Sequence, residues 1–163
     1  MFSSSVQNIP SFKSGKVLVM PYTSLQYYTQ IAFAALTSEI AFRFCNNGVW
    51  GPWEYLNPLL SPGVEYRTTE RYGGSPVYVK AVDCGQIADG KEVQHGIADI
   101  NIVIRYQGMR TGLAMPQVYN KNLGDTRSAY VTSVDQTRIS LSCGESASGG
   151  NCTVILWYTK TTN

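Results

Sequence analysis

The residues of this chain that could do chemistry are few and scattered. The one histidine, His95, falls in a Gln94-His95-Gly96 turn signal, and no second imidazole is present to complete a base pair or ligand set. It reads as structural. The cysteines, Cys45, Cys84, Cys143 and Cys152, have no CxxC spacing and with one histidine cannot build a zinc site within a single chain. They read as small buried hydrophobes in a protein folded in a reducing cytosol. Cys143 and Cys152 flank GESASGGN. If the strands on either side form a hairpin, this is the pair placed to bridge, and the sequence leaves open whether it does. Among the eleven carboxylates no two stand out as an acid and base facing each other across a cleft, as glycoside hydrolysis requires. Glu65, Arg67, Glu70 and Arg71, followed by Lys80 and Asp83, read instead as cross-strand charge pairs. No G-x-S-x-G elbow occurs. The expectation is a protein without catalytic residue, metal or cofactor.

Recognition chemistry is better represented. A pyranose has an apolar face and a rim of hydroxyls, so aromatic rings beside amide and guanidinium groups suit it. That combination occurs at QGMRT (Gln107–Thr111), QVYNKN (Gln117–Asn122) and DTRSAY (Asp125–Tyr130). Arg110, Tyr119, Asn120 and Arg127 are the expected ligand contacts. Trp50 and Trp53 in VWGPWEY read as caps on the core of a small module, and Trp157 as a core or subunit-contact residue.

The elements that must hold these groups read as β throughout. In 163 residues the charged fraction is only 15%, while Tyr number eleven and Gly fifteen. Such a composition favours strands and contact surfaces over a helical bundle or a disordered acidic chain. A net charge of +2 with no Lys/Arg stripe argues against nucleic-acid binding. No apolar run is long enough to span a membrane as a helix. The opening MFSSSVQNIPSF lacks the basic region and apolar core of a secretory signal. Residues 1–14 read as a flexible lead-in. A small meander is expected over 15–58, with strands at Lys16–Tyr22, Tyr27–Leu36, Glu39–Cys45 and Val49–Tyr55. A Gly-Gly hairpin follows, Val64–Arg71 and Val77–Cys84 about Tyr72–Ser75. Gln86–Glu92 reads as a polar link. Asp99–Tyr106 should be a strand with Ile100, Ile102, Ile104 and Tyr106 on one side, and Gln107–Asp125 is loop-rich, with a short strand within Leu113–Val118. Ser128–Val134, Thr137–Cys143 and Cys152–Lys160 close the chain. The last of these is apolar on both faces, so it is central in a sandwich or packed on another subunit. The expected class is all-β: a small N-terminal meander, then a β-sandwich over 59–163.

The run GVEYRTTERYGGSPVYVKAVDCG, the later VQHGI and the closing WYTK resemble a C-terminal module of bacteriophage tail fibres and prophage receptor-binding proteins. TQIAFAALTSEIAFRFCNNGVWGPWEYLNP is similar to the repeat that precedes it, with its N-G-x-W-x-x-W. The resemblance covers roughly residues 15 to 163 and is most specific over 62–97. It implies a jelly-roll-like tip in a parallel homotrimer that is made in the bacterial cytoplasm and carried on the virion. Its partners would be the rest of the fibre or tail and a bacterial surface polysaccharide or protein bound at tip loops. Two other readings remain open at this level: a monomeric carbohydrate-binding module of a secreted protein, and a purely structural fibre or decoration domain.

Overall fold

The structure, a computed structural model, describes residues 8–22, 26–111, 113–115 and 128–162. These form thirteen strands and no α-helix, so the protein is all-β. The chain divides into two compact units, residues 1–59 with 66–70, and residues 60–65 with 71–163.

In the first unit, β1 (Gly15–Pro21), β2 (Tyr28–Ala34) and β3 (Ile40–Asn46) form an antiparallel meander in full register. Asn47-Gly48 turns the chain into β4 (Val49–Trp50), both residues at positive φ as a two-residue hairpin needs. The expected strand over Val49–Tyr55 is broken. Gly51-Pro52 separates β4 from β5 (Glu54–Tyr55), which pairs with β3 farther along, at Ala41 and Phe42. Proline has no N–H to give a ladder, so the break falls there. Tyr55 then pairs in parallel with Thr68 of β6 (Glu65–Tyr72). The core is small: Ala32, Ala41, Cys45, Tyr55 and Tyr66 are buried, with the two tyrosine rings edge to face at 5.2 Å. Residues 8–14, read as a flexible lead-in, are tied to this unit. Pro10 is buried, Ser11 N–H donates to Tyr55 Oη at 2.7 Å, and Trp53 Nε1 donates to Asn8 O at 2.9 Å.

The second unit layers two antiparallel sheets. One has the order β7 (Ser75–Gln86), β13 (Asn151–Lys160), β9 (Ile100–Arg110), β10 (Leu113–Met115). The other runs β11 (Ala129–Val134), β12 (Arg138–Cys143), β8 (Lys91–Gln94). Val82, Cys84, Val154, Leu156 and Tyr158 of the first meet Val131, Ile139 and Leu141 of the second in one core. As its two-sided apolar pattern requires, β13 is central, flanked by β7 and β9. The turn before β7 has Gly73 and Gly74 both at positive φ, the type I′ requirement.

Three expectations change here. The polar link contains a strand, since Lys91–Gln94 pairs with β12 as its edge partner. The alternation of β9 does not run through. Two bulges opposite β13 shift the register, so Ile100, Val103 and Tyr106 join the core while Ile102 is 42% exposed. Cys143 and Cys152 are not hairpin partners. A 3-10 turn at Glu145–Ala147 carries the chain from one sheet to the other, burying Ala147 on the way. Cys143 therefore pairs with Ala129 and Cys152 with Gly85, and all four cysteines are free thiols.

Candidate binding surfaces

The titratable groups are occupied in holding strands together. His95 is buried after β8. Its Nδ1 accepts the Ile97 N–H at 3.1 Å, which leaves Nε2–H to donate to Asp135 O at 3.3 Å. Burial lowers its pKa from the ordinary histidine value. Asp135 Oδ1 accepts the Thr137 and Arg138 N–H groups, each at 2.7 Å, and these bonds lower its pKa. Glu54 pairs with Arg67 at 2.9 Å and Glu92 with Arg138 at 2.5 Å. Glu65 takes Lys160 at 2.6 Å and the hydroxyl of Tyr158, whose pKa is pushed up by burial and by that carboxylate. Glu65 and Arg67 are thus charge-paired, as expected, with Lys160 and Glu54 as partners on other strands. Lys80 donates to Gly96 O at 3.0 Å, and Asp83 accepts the Gly85 N–H at 2.8 Å. Among the described residues no three His, Cys, Asp or Glu converge. Cys84 hydrogen-bonds with Cys152, and that bond with burial pushes the Cys84 thiol up.

Of the four expected ligand contacts, Arg110 is described, while Tyr119, Asn120 and Arg127 lie outside the described residues. Arg110 ends β9 rather than sitting in a loop, because β9 continues through Gly108 and turns back into β10. Its Nε is buried with no hydrogen-bond partner among the described residues. Gly150 makes room for it: a Cβ there would meet Arg110 Nε at 2.6 Å and Thr111 Oγ1 at 2.9 Å.

Two aromatic arrangements were not foreseen. In the first unit the Arg43 guanidinium lies 4.6 Å from the ring centre of Trp50 and 4.4 Å from that of Trp53, and Gln30 holds it at 2.8 Å. Tyr28 stacks on Trp50. Burial lowers the pKa of Arg43. The indoles are thus engaged by the chain itself through Arg43, while Trp50 stays exposed. The signal was available, since Arg43 and Gln30 both sit on alternating strands ahead of W-x-x-W. In the second unit Arg105 lies over Trp157 at 4.7 Å. Beside it is a shallow cavity of about 260 Å³ lined by Val103, Ile104, Arg105, Tyr106 and Val134.

No family model and no curated protein matches this chain. Among solved structures it is similar to an N-truncated R2-type pyocin tail fibre, at 12% identity over 88% of this chain and 81% of that one, with a TM-score of 0.29. It is also similar to a C-terminal portion of the R1 pyocin fibre of P. aeruginosa, at 11% identity over 88% of this chain and 57% of that one, with a TM-score of 0.28. Likeness at this level carries no argument about fold or function.

Proposed function

We propose that this chain is the C-terminal part of a phage-type fibre, carried on the virion as a homotrimer, which binds a bacterial host surface without catalysis. A surface polysaccharide is the favoured ligand, a surface protein the other. The division into an N-terminal module over 15–58 and a tip domain over 59–163 belongs to the same proposal. The observation that supports it is where the segments resembling fibre tips fall. They are far apart in sequence and adjacent in the second unit. The closing Trp157–Lys160 lies on β13, with Trp157 opposite Val79 and Tyr158 opposite Tyr78 of the VYVKAV run. Lys160 and Tyr158 bind Glu65 of GVEYR, and Lys80 binds Gly96 O of VQHGI. Short coincidental likenesses have no reason to fall on one connected frame. Arg110 is proposed as a contact, with Tyr119, Asn120 and Arg127 alongside it. Weak single sites presented threefold gain through avidity.

The test is retention of the labelled full chain on a panel of bacterial strains, before and after their surface polysaccharide is stripped. Saturable binding to some strains, lost on stripping and weakened at least tenfold by Arg110→Ala, is expected. Folded protein that no strain retains would sink the proposal.

A further inference from the structure

Two thiols of the second unit lie opposite each other on neighbouring strands. Between β7 and β13 the register sets Val82 opposite Val154 and Asp83 opposite Thr153, then steps to Gly85 opposite Cys152. Cys84 is therefore the extra residue of a bulge, and Cys84 and Gly85 together oppose Cys152. Local contacts hold the bulge in place. Gly85 takes a φ of +62°, Asp83 Oδ1 accepts the Gly85 N–H at 2.8 Å, and Lys91 Nζ donates to Gln86 O at 2.6 Å. Both thiols belong to the same core, Cys84 3% and Cys152 0% exposed, and Cys84 hydrogen-bonds with Cys152. Directly opposed residues of an antiparallel pair have Cα atoms ~4.5–5.5 Å apart, inside the ~4.4–6.8 Å that a disulfide spans. The other two cysteines have no thiol opposite them, since Cys45 pairs with Tyr28 and Trp50, and Cys143 with Ala129.

We propose that Cys84 and Cys152 are a redox-sensitive pair, reduced while the chain folds and bridged by peroxide once it meets an oxidising medium. The proposal goes beyond the function above and does not depend on it. Cys152, as thiolate, attacks one oxygen of hydrogen peroxide. The O–O bond breaks, the released hydroxide takes up the thiol proton and leaves as water, and Cys152 is left as a sulfenic acid. Cys84 Sγ then attacks the Cys152 sulfur. The S–S bond forms, the S–O bond breaks, and the hydroxide carries off the Cys84 proton as a second water. Two thiols and one hydrogen peroxide thus become one disulfide and two waters. Cys152 is the first to react because the hydrogen bond from Cys84 lowers its pKa, with the Lys91 ammonium acting in the same direction. Cys84, whose thiol is pushed up, keeps its proton and supplies the resolving sulfur. Both sulfurs are buried, which favours an oxidant as small as peroxide over a bulky disulfide. The bridge ties the end of β7 to the start of β13 and closes the loop of chain that carries β8 to β12. Cross-links that close long loops constrain the unfolded chain most, so the bridge braces the second unit.

The experiment treats the reduced full chain with a small excess of hydrogen peroxide, alkylates the remaining thiols in denaturant, and maps the peptides by mass spectrometry. Of the four free thiols, Cys45 and Cys143 should be alkylated, and one peptide pair should be joined through Cys84 and Cys152 and separated again by reductant. The bridged protein should melt at least ~5 °C above the reduced one. Cys143→Ser should leave both results unchanged, and Cys84→Ser should abolish the joined peptides. Survival of all four thiols, under treatment that oxidises the urea-unfolded chain, would overturn the proposal. So would a bridge through Cys45 or Cys143, a bridge between two chains, or oxygen added without a bridge at Cys152 or at Met115, whose Sδ lies 3.8 Å from Cys152 Sγ. A Cys84–Cys152 bridge that leaves the melting temperature unchanged or lower would overturn the brace. The peptide map is read on the wild type, so it decides even where a serine variant fails to fold.

Discussion

Replacing Tyr158 by Phe removes one oxygen and keeps the ring. That ring is buried and stacks on Tyr78 at 6.1 Å, so packing at the centre of the tip core is retained. What goes is the hydroxyl donated to Glu65, the bond that joins the closing strand β13 to the start of β6 in the Gly-Gly hairpin. Hydrogen bonds to charged groups contribute ~1.5–3 kcal/mol. Lys160 still satisfies the other carboxylate oxygen at 2.6 Å, and the Glu65 side chain is 30% exposed, so water can reach what is left. Both facts place the expected cost in the lower half of that range, about 2 kcal/mol. For a chain of this length, that corresponds to a fall in melting temperature of roughly 4–8 °C. The assay is urea unfolding followed by tryptophan fluorescence, at one fixed protein concentration because assembly would contribute to the apparent stability. A double-mutant cycle with Glu65→Gln should return a coupling of ~1–2 kcal/mol. A cost below ~0.5 kcal/mol, with no coupling, would mean that ring packing alone holds β13 to the hairpin.

Gly108→Ala should destabilise the tip by ~1–3 kcal/mol through overpacking. The new methyl would lie 2.5 Å from Met115 Cε and 3.3 Å from Val131 Cγ2, at the seam where β9 meets β10 and the second sheet. Urea midpoints read the loss, and an unchanged midpoint would show that the seam is looser than its geometry. His95 predicts a pH dependence. Its folded pKa lies below the ~6.5 of the unfolded chain, so the unfolded state takes up the proton first as pH falls. Stability should be flat above pH ~6.5 and decline from there down to the depressed folded pKa, and His95→Gln should remove the decline. Measurements kept above pH ~4.5 leave Asp135 ionised and its own acid response out of the comparison.

Strand existence was legible wherever alternation and turn chemistry agreed. Asn47-Gly48 and Gly73-Gly74 take positive φ where hairpins need it, and the doubly apolar β13 lies between two neighbours. What failed was local pattern overruled by partners. The spacing of Ile100, Ile102, Ile104 and Tyr106 is a clean period of two, but a bulge is set by the opposing strand. Here two bulges against β13 move Val103 into the core and Ile102 out. Lys91–Gln94 looked like a link because a four-residue edge strand needs little hydrophobicity of its own. The proposed ligand contacts were legible only as composition. Arg110 reaches its position because β9 runs four residues past Tyr106, and no residue within the loop vocabulary announced that.

The first unit shows the limit most sharply. Its alternation was plain, with Ile40, Phe42 and Phe44 on one side and Ala41, Arg43 and Cys45 on the other. Period two says which residues share a face and nothing about which face meets the chain. The ordinary rule would turn the phenylalanines inward. Here the alanines are inside, and two indoles close over Arg43 on that same side. An arginine between two tryptophans is a poor centre for a small core, yet it makes a rigid back to a sheet whose front is apolar.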